Sequence, residues 1–438
     1  MQKKMYFFLS RTLAGSLVLN NALIQASSNY VNQLEYQLSY FNYNETRLDP
    51  EFSQNEMTCN YKDHVFDNSD GLVYKYDRVP PQEPLGKPWR DGFAVVSCHA
   101  LTNDPEEEKF CFFLNPEINQ GNGLVVFTRP STMIQSLEGQ INLERDTLST
   151  SAVQLVSMPE KGGVGALASR SIMAGERVTQ DRALAVVSVE DAVYQSGNLW
   201  KIRKMAIDML PLHSRRRVAL MIGSGKSEEE WISNAFDVNS FTARLGNGVT
   251  HFALISGEPT RLNHACRPNT AFYFNGATLE VFMHALKPIK AGEELTVSYH
   301  RMDRTFEERQ KDLKRNYEFD CRCSHCSMSE VEILESDKRI RRIDQIRDAI
   351  MNKKVNITKS LEDEMTELYE KEDLLQTIWD LYFTLAVGNR YLENYKRVQF
   401  YLEKSLKWIY LVMDHHSQYV YAFRHFIEHP ELLAKDKA

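Results

Sequence analysis

Outside its N-terminus the chain lacks any apolar run near the ~20 residues that a membrane-spanning helix needs, so no transmembrane span is expected there. It also lacks any acidic residue before Glu35, and it has only seven cysteines in 438 residues. The missing acids set the N-terminus apart. Lys3, Lys4 and Arg11 precede the apolar stretch 12–19 and then Ala22-Leu23-Ile24-Gln25-Ala26-Ser27. A basic start, a short apolar core and a small residue before a cut describe a secretory signal peptide over residues 1–27. An acid-free start with Arg and Ser equally suits a mitochondrial presequence, and a short amphipathic helix or tail is the plain alternative. Sequencing the N-terminus of the mature chain separates these readings. Asn44-Glu45-Thr46 and Asn356-Ile357-Thr358 are glycosylation sequons, tripeptides that also arise by chance.

The odd cysteine count leaves Cys59, Cys98 and Cys111 outside the cluster described below. In an oxidising compartment Cys98 and Cys111 are the first choice for a bridged hairpin; in a reducing one all three act as small buried hydrophobes. The net charge of −7 argues against general binding to a phosphate backbone, so no strong nucleic-acid signal is present. Gly223-Ser224-Gly225-Lys226-Ser227 evokes a phosphate loop, but the glycine that motif needs five residues before Gly225 is Leu220.

The chain is long enough for two or three domains. Residues 28–150 alternate short apolar runs with breakers such as Pro80-Pro81 and Gln120-Gly121-Asn122-Gly123, and 93–98 and 110–114 read as strands. Residues 151–190 read as strands separated by glycine turns: 153–158, 165–168, then 177–189. Leu199, Ile202, Met205, Met209 and Leu212 recur at helical spacing, which predicts a helical insert over about 191–236. Strand patterns return at 270–274 and 279–285 around Asn275-Gly276. Strand, insert, strand predicts one α+β unit over 151–303. Lys201–Lys204 and Arg215–Arg217 read as a solvated basic face of the insert, with attraction of an acidic peptide or nucleic acid as the alternative. Thr305-Phe306-Glu307-Glu308 is a capping box, with Phe306, Leu313 and Tyr317 on one face of the helix it opens. Beyond residue 326 the sets Leu361, Met365, Leu368, Leu375, Ile378 and Tyr391, Tyr395, Val398, Leu402, Leu406 predict antiparallel helix pairs over 327–438, a TPR-like tail.

Two clusters carry chemistry. Cys321-Arg322-Cys323-Ser324-His325-Cys326 offers three thiolates to one Zn²⁺, whose closed structural sites need a fourth ligand. Cys266 and His325 are the candidates, and Cys266 is preferred because His325 adjoins Cys326. Arg261-Leu262-Asn263-His264-Ala265-Cys266-Arg267-Pro268-Asn269 is a polar insert between apolar runs that says little alone.

That segment resembles the Asn-His-x-Cys-x-Pro-Asn motif of SET-domain methyltransferases. Glu294-Leu295-Thr296-Val297-Ser298-Tyr299 is similar to the family's second motif, and Cys321–Cys326 to its post-SET zinc cluster. The run 161–168 with 172–176 is similar to its opening glycine turn and strand. All four occur in family order over residues 155–326. The resemblance implies a β-rich SET domain with a helical insert, a post-SET helix and zinc site over 304–326, and a helical C-terminal region. It implies S-adenosylmethionine as cofactor, cradled by Gly163, Val164 and Gly165, held by Asn263 and His264, and covered by Phe319. Tyr299 would be the catalytic residue at the methyl-transfer channel and also border the cofactor; Cys266, Cys321, Cys323 and Cys326 would bind Zn²⁺. Tyr273 is a weaker candidate for the channel wall, with core packing as its alternative, and Asn234-Ala235-Phe236 resembles a segment lining the same pocket. The insert has no cysteine, so the likeness is to the SMYD-type subgroup and its fungal-type relatives without the MYND zinc module.

The implied function is methyl transfer to a lysine of a protein or peptide by a monomer. The alternatives are transfer to a small amine or peptide metabolite, or a SET-fold binding module without turnover. Such activity implies the cytoplasm or nucleus, where the donor is made, against the secretory or mitochondrial reading of the N-terminus. Three departures from the family pattern stand out: Ala265 inside the motif, the run Ile255–Thr260 before it, and His300 after Tyr299.

Overall fold

The computed structural model describes residues 86–102, 104–138, 151–161, 163–225, 227–246, 248–276, 278–413 and 418–433. Residues 1–27, read above as a possible signal peptide or presequence, the Asn44 sequon and Cys59 lie outside these residues. Strands β1 (Lys87–Pro88), β2 (Ala94–His99), β3 (Phe110–Asn115) and β4 (Leu124–Thr128) precede helix α1 (Pro130–Glu138). Next come the hairpin β5 (Val153–Met158) and β6 (Gly163–Ala168), then β7 (Arg177–Arg182) and β8 (Ala185–Ser188). The insert comprises α2 (Asp191–Gln195), α3 (Leu199–Asp208), α4 (Leu212–Ala219) and α5 (Glu228–Asn239). The chain returns through β9 (Ser240–Leu245), β10 (Val249–Leu254), β11 (Asn263–His264), β12 (Thr270–Asn275), β13 (Glu280–Ala285) and β14 (Thr296–Val297). Helix α6 (Phe306–Tyr317) leads to α7 (Glu330–Met351), α8 (Lys359–Lys371), α9 (Ile378–Tyr391), α10 (Tyr395–Val412) and α11 (Gln418–Glu428). The class is α+β.

The largest sheet has the order β1-β2-β3-β4-β8-β10-β9. Its β4–β8 pair is parallel, with Val126 opposite Val186, so the strands of residues 86–128 extend the same sheet. Both faces of this sheet are covered, which explains its nearly continuous apolar strands. Phe110, Phe112, Phe127 and Val187 pack against Ile202, Ala206, Ile232 and Phe236 of the insert. Phe113, Val126 and Val186, on the alternate positions, pack against Phe274 and Val281 of the three-stranded sheet β12-β13-β7. Cys98 and Cys111 stand directly opposite in the β2–β3 pair and form a disulfide.

The run 177–189, read as one strand, is two. Ala183 bonds back to Leu279 and Leu184 to Leu254, so the chain steps from the small sheet to the large one between the polar β7 and the apolar β8. The basic stretch of the insert is also not a solvated face throughout. Arg203 is buried and donates to Asp237 (2.8 Å) and to the Ser233 carbonyl (2.9 Å), and Arg215 is buried as well. Tyr391 and Tyr395 fall on different helices, because the chain turns at Glu393 (φ 55°).

The C-terminal helices have their own core, built from residues such as Ile343, Met365, Leu381, Leu402 and Phe423, which also takes in Met302. Near that junction Asp303 accepts from Arg301 Nε (2.9 Å) and from Arg347 Nη1 of α7 (3.1 Å). Burial pushes the Asp303 carboxyl up, but the two guanidiniums outweigh it and hold the group at about 2. A carboxylate held below its ordinary value near 3.8 adds stability that is present above about pH 4 and lost as the pH falls through about 2, on the order of 2 kcal/mol. Acid titrations of stability are therefore expected to fall more steeply between pH 4 and 2 for the wild type than for Asp303→Asn. Identical slopes would remove this ion pair from the account.

Candidate functional site

Two short parallel strands bring the separated motifs together. Asn263 lies opposite Thr296 and His264 opposite Val297 in the β11–β14 pair. Asn269, buried, straps the same two segments. Its Oδ1 accepts from Thr296 N (2.9 Å) and Thr296 Oγ1 (3.2 Å), while its Nδ2 donates to the Glu294 carbonyl (2.8 Å). The motif's last residue is thus satisfied by this chain alone.

The side chain of Asn263 donates to Glu294 Oε1 (3.1 Å), and Glu294 in turn pairs with Lys161. A polar string therefore links the turn before β6 to both motifs. The two glycines of that turn have different reasons. At Gly163 the backbone has φ +147° and nothing lies within 4 Å of where a Cβ would stand, so the conformation demands glycine and space remains beside it. At Gly165 a Cβ would meet Met158 and lie 2.6 Å from Asn263 Nδ2. Close approach there is to the protein's own Asn263. Val164, between them, is half-buried and pairs with Ser157.

His264 joins the three parts of the site. Its Nδ1 accepts from the Tyr299 backbone N–H (3.0 Å), which leaves the proton of the neutral ring on Nε2, 3.4 Å from Cys266 Sγ. Burial holds this imidazole down at about 3, helped by the neighbouring His300, so the neutral form is the one present at physiological pH. Tyr299 is half-buried, and its hydroxyl donates to the Leu262 carbonyl at 2.8 Å. Burial pushes the phenol well above its ordinary value; Tyr317 and Glu294 act in the same direction and Arg261 opposes them. Tyr299 therefore keeps its proton. Its ring lies 4.9 Å from that of Tyr317 and 5.3 Å from that of His264. Phe319 approaches edge-on, 6.5 Å from Tyr299.

The placement of Tyr317 and Phe319 follows from local rules. Glu308 accepts from both the backbone N–H (2.9 Å) and the hydroxyl (2.8 Å) of Thr305, completing the box that starts α6. Phe306, Leu313 and Tyr317 then face the cysteines, and Glu318 at φ 63° ends the helix and turns Phe319 back toward the site.

The sulfurs of Cys266, Cys321, Cys323 and Cys326 all lie within 4.8 Å of one another, with Cys266 at 3.5 Å from Cys326 and 4.0 Å from Cys321. Tetrahedral thiolates about 2.3 Å from a zinc ion sit about 3.8 Å apart, so the donor set fits a metal ion of that kind. His264, Cys266 and His300 also converge. His264 makes a poor ligand, because its Nδ1 is occupied by Tyr299 and its Nε2 carries the proton. His325 turns away, 3.4 Å from Ser336 and 3.7 Å from Glu372. Cys266 is the sulfur that completes the group.

Some members of the site left no mark in the sequence. Arg309 is buried on α6, donates to the Arg304 carbonyl (2.7 Å) and places Nη2 4.0 Å from Cys326 Sγ, a positive charge beside the thiolates. Arg261 Nη1 and Ser256 Oγ are buried with no hydrogen-bond partner, at a cost of about 1–3 kcal/mol each that a polar ligand would offset. Asn234-Ala235-Phe236 has other work: Asn234 Oδ1 accepts from Ser224 N (2.8 Å), while Ala235 and Phe236 are core residues. Tyr273 is half-buried opposite Phe282 in the β12–β13 pair.

Residues 163–300 match the SET domain family, so this chain contains a SET domain. Among curated proteins, 81 residues are 42% identical to the histone-lysine N-methyltransferase SMYD3 of Mus musculus, covering 18% of this chain and 18% of that protein. Over 88 residues the chain is 36% identical to the histone-lysine N-methyltransferase set5 of Schizosaccharomyces pombe, covering 20% and 25%. Over 153 residues it is 44% identical to the histone-lysine N-methyltransferase SET5 of Meyerozyma guilliermondii, covering 34% and 26%. The matched stretches span between about a fifth and a quarter of these relatives' own lengths.

Proposed function

We propose that this chain is an S-adenosylmethionine-dependent methyltransferase acting on lysine side chains of a protein, with Zn²⁺ held by Cys266, Cys321, Cys323 and Cys326. The observation that carries the reading is the His264 imidazole, bonded to the Tyr299 backbone on one side and facing Cys266 on the other. The relatives named as histone-lysine N-methyltransferases support it. When bound, the cofactor would supply a sulfonium-activated methyl group, which a neutral amine takes in line as the neutral thioether leaves. Gly163 with the backbone around it, Asn263, His264 and Phe319 would hold it. The unpartnered Arg261 Nη1, in the motif segment and close enough to act on Tyr299, suits a ligand that carries a carboxylate.

The protein's task is to present the lysine neutral and aimed. A free lysine ionises near 10.4, and an aromatic channel disfavours the ammonium by desolvation. Because the Tyr299 proton is committed to the Leu262 carbonyl, the phenol oxygen is left as an acceptor. It can take an amine N–H and so leave the nitrogen lone pair to the methyl group. Tyr299 is thus an orienting group rather than a base, and holding a near-attack geometry supplies several kcal/mol in other oriented reactions. The donor is made in the cytoplasm, whereas the Cys98–Cys111 disulfide is of the kind that an oxidising compartment preserves.

Calorimetry of S-adenosylmethionine binding to the zinc-loaded protein tests the cofactor site. Wild type is expected to bind one equivalent. Asn263→Ala removes the amide bonded to Glu294 and is expected to weaken binding roughly 10- to 100-fold, about 1.4–2.8 kcal/mol. Absence of heat from the wild type would sink the enzyme reading and leave a SET-fold binding module.

A further inference from the structure

Glu372 follows α8 and lies far from Asn263 in sequence, yet its side chain is fully buried against the motif segment. Oε2 accepts from Arg267 Nη2 (2.8 Å) and Ser336 Oγ (2.8 Å) and lies 3.7 Å from His325 Nε2. Oε1 accepts from Arg339 Nε (2.6 Å), and the Glu372 carbonyl accepts from Arg267 Nε. Relative exposure of the paired side chains is 6% for Arg267 and 0% for Glu372. Arg267 directly follows Cys266, and its Nη1 donates to the carbonyls of Cys266 (2.8 Å) and Met302 (3.2 Å). His325 lies between Cys323 and Cys326. One carboxylate therefore holds the Cys266 segment through Arg267 and grips α7 through Ser336 and Arg339, and the same Ser336 hydroxyl lies 3.4 Å from His325 Nε2 of the Cys323–Cys326 loop.

A buried ion pair gives back little net stability, because desolvating both charges offsets their attraction. What a carboxylate shared by two guanidiniums fixes well is geometry. We propose that Glu372 is a positioning residue for the four-sulfur metal centre, locking the Cys266 segment to the Cys323–Cys326 loop so that the C-terminal helices govern how firmly the metal is held. The inference rests on the reading of those four sulfurs as a metal site. Loss of an outer partner of metal ligands typically costs 10- to 100-fold in affinity.

The test uses the full chain, loaded with Zn²⁺ or Co²⁺. Zinc release to a colorimetric chelator is expected to be about tenfold faster or more in Glu372→Gln than in wild type. The thiolate-to-cobalt absorption bands are expected to shift, while far-UV circular dichroism is unchanged. Glu364→Gln breaks the exposed Arg342–Glu364 pair elsewhere on α8 and is expected to release zinc at the wild-type rate. Glu372→Gln leaves the buried Arg267 and the half-buried Arg339 short of a counter-charge, so Ser336→Ala, which removes one neutral contact, decides if that variant does not fold. Its release is expected to be faster than wild type by a smaller factor. Wild-type release rates and cobalt spectra in Ser336→Ala and in any folded Glu372→Gln overturn the proposal. A wild-type chain that binds neither metal overturns the metal reading itself.

Discussion

Stripping the metal from the four sulfurs, or replacing Cys266 with Ser, is expected to lower the thermal unfolding midpoint by roughly 10 °C. At metal concentrations about a thousand times the dissociation constant, linkage contributes about 4 kcal/mol to the folded state, and 1 kcal/mol moves the midpoint by about 2–4 °C in a domain of this size. The effect reaches the cofactor site because Cys266 faces the Nε2 proton of His264, and the same ring receives the Tyr299 N–H. Cys321 and Cys326 also form the apolar floor under Phe306, Tyr317 and Phe319. Metal-free protein should therefore lose most of its affinity for S-adenosylmethionine together with its stability, and recover both on adding Zn²⁺. Scanning calorimetry with and without chelator checks the first, and titration of the donor the second. A metal-free chain with an unchanged midpoint would reduce the four cysteines to ordinary core residues.

Tyr299→Phe is expected to lower kcat on a lysine substrate about 100-fold while leaving the KM for the donor within about twofold. A factor of 100 corresponds to about 2.7 kcal/mol of transition-state stabilisation, the order found when one preorganised polar group is removed from an active site. The substitution keeps the ring packing against Tyr317 and His264. It removes only the oxygen and leaves the Leu262 carbonyl without its donor, at about 1 kcal/mol of stability. Asn263→Ala should show the opposite split, with donor affinity lost first. Steady-state kinetics of the two variants side by side make the distinction. A Tyr299→Phe enzyme with undiminished kcat would leave that tyrosine a packing residue just beyond β14.

The parts of this site that the sequence announces are those fixed by short-range rules. Thr305 and Glu308 are three residues apart, and their capping box is a local geometry. Three cysteines within six residues have few structural uses apart from a metal. Alternation also sufficed for β5, read as 153–158 and found as Val153–Met158. The unannounced parts are pairings across long stretches of chain. Glu372 and Arg267 are 105 residues apart, and Arg203 and Asp237 are 34 apart; no periodicity reports such partners. Arg203 looked like a solvated charge because its own helix shows only the charge. Gly165 looked like a contact for a ligand, whereas Met158 and Asn263 occupy the space beside it. The break between β7 and β8 has no glycine or proline to mark it, and each half belongs to a different sheet.

Transfer of a labelled methyl group from S-adenosylmethionine into cell-extract proteins, using zinc-loaded wild type with Tyr299→Phe alongside, tests the central claim most directly. The account predicts labelled protein that yields methylated lysine on hydrolysis, and about 100-fold less label with Tyr299→Phe. Label found only in small molecules, or none above background from a chain that binds the donor, would contradict it.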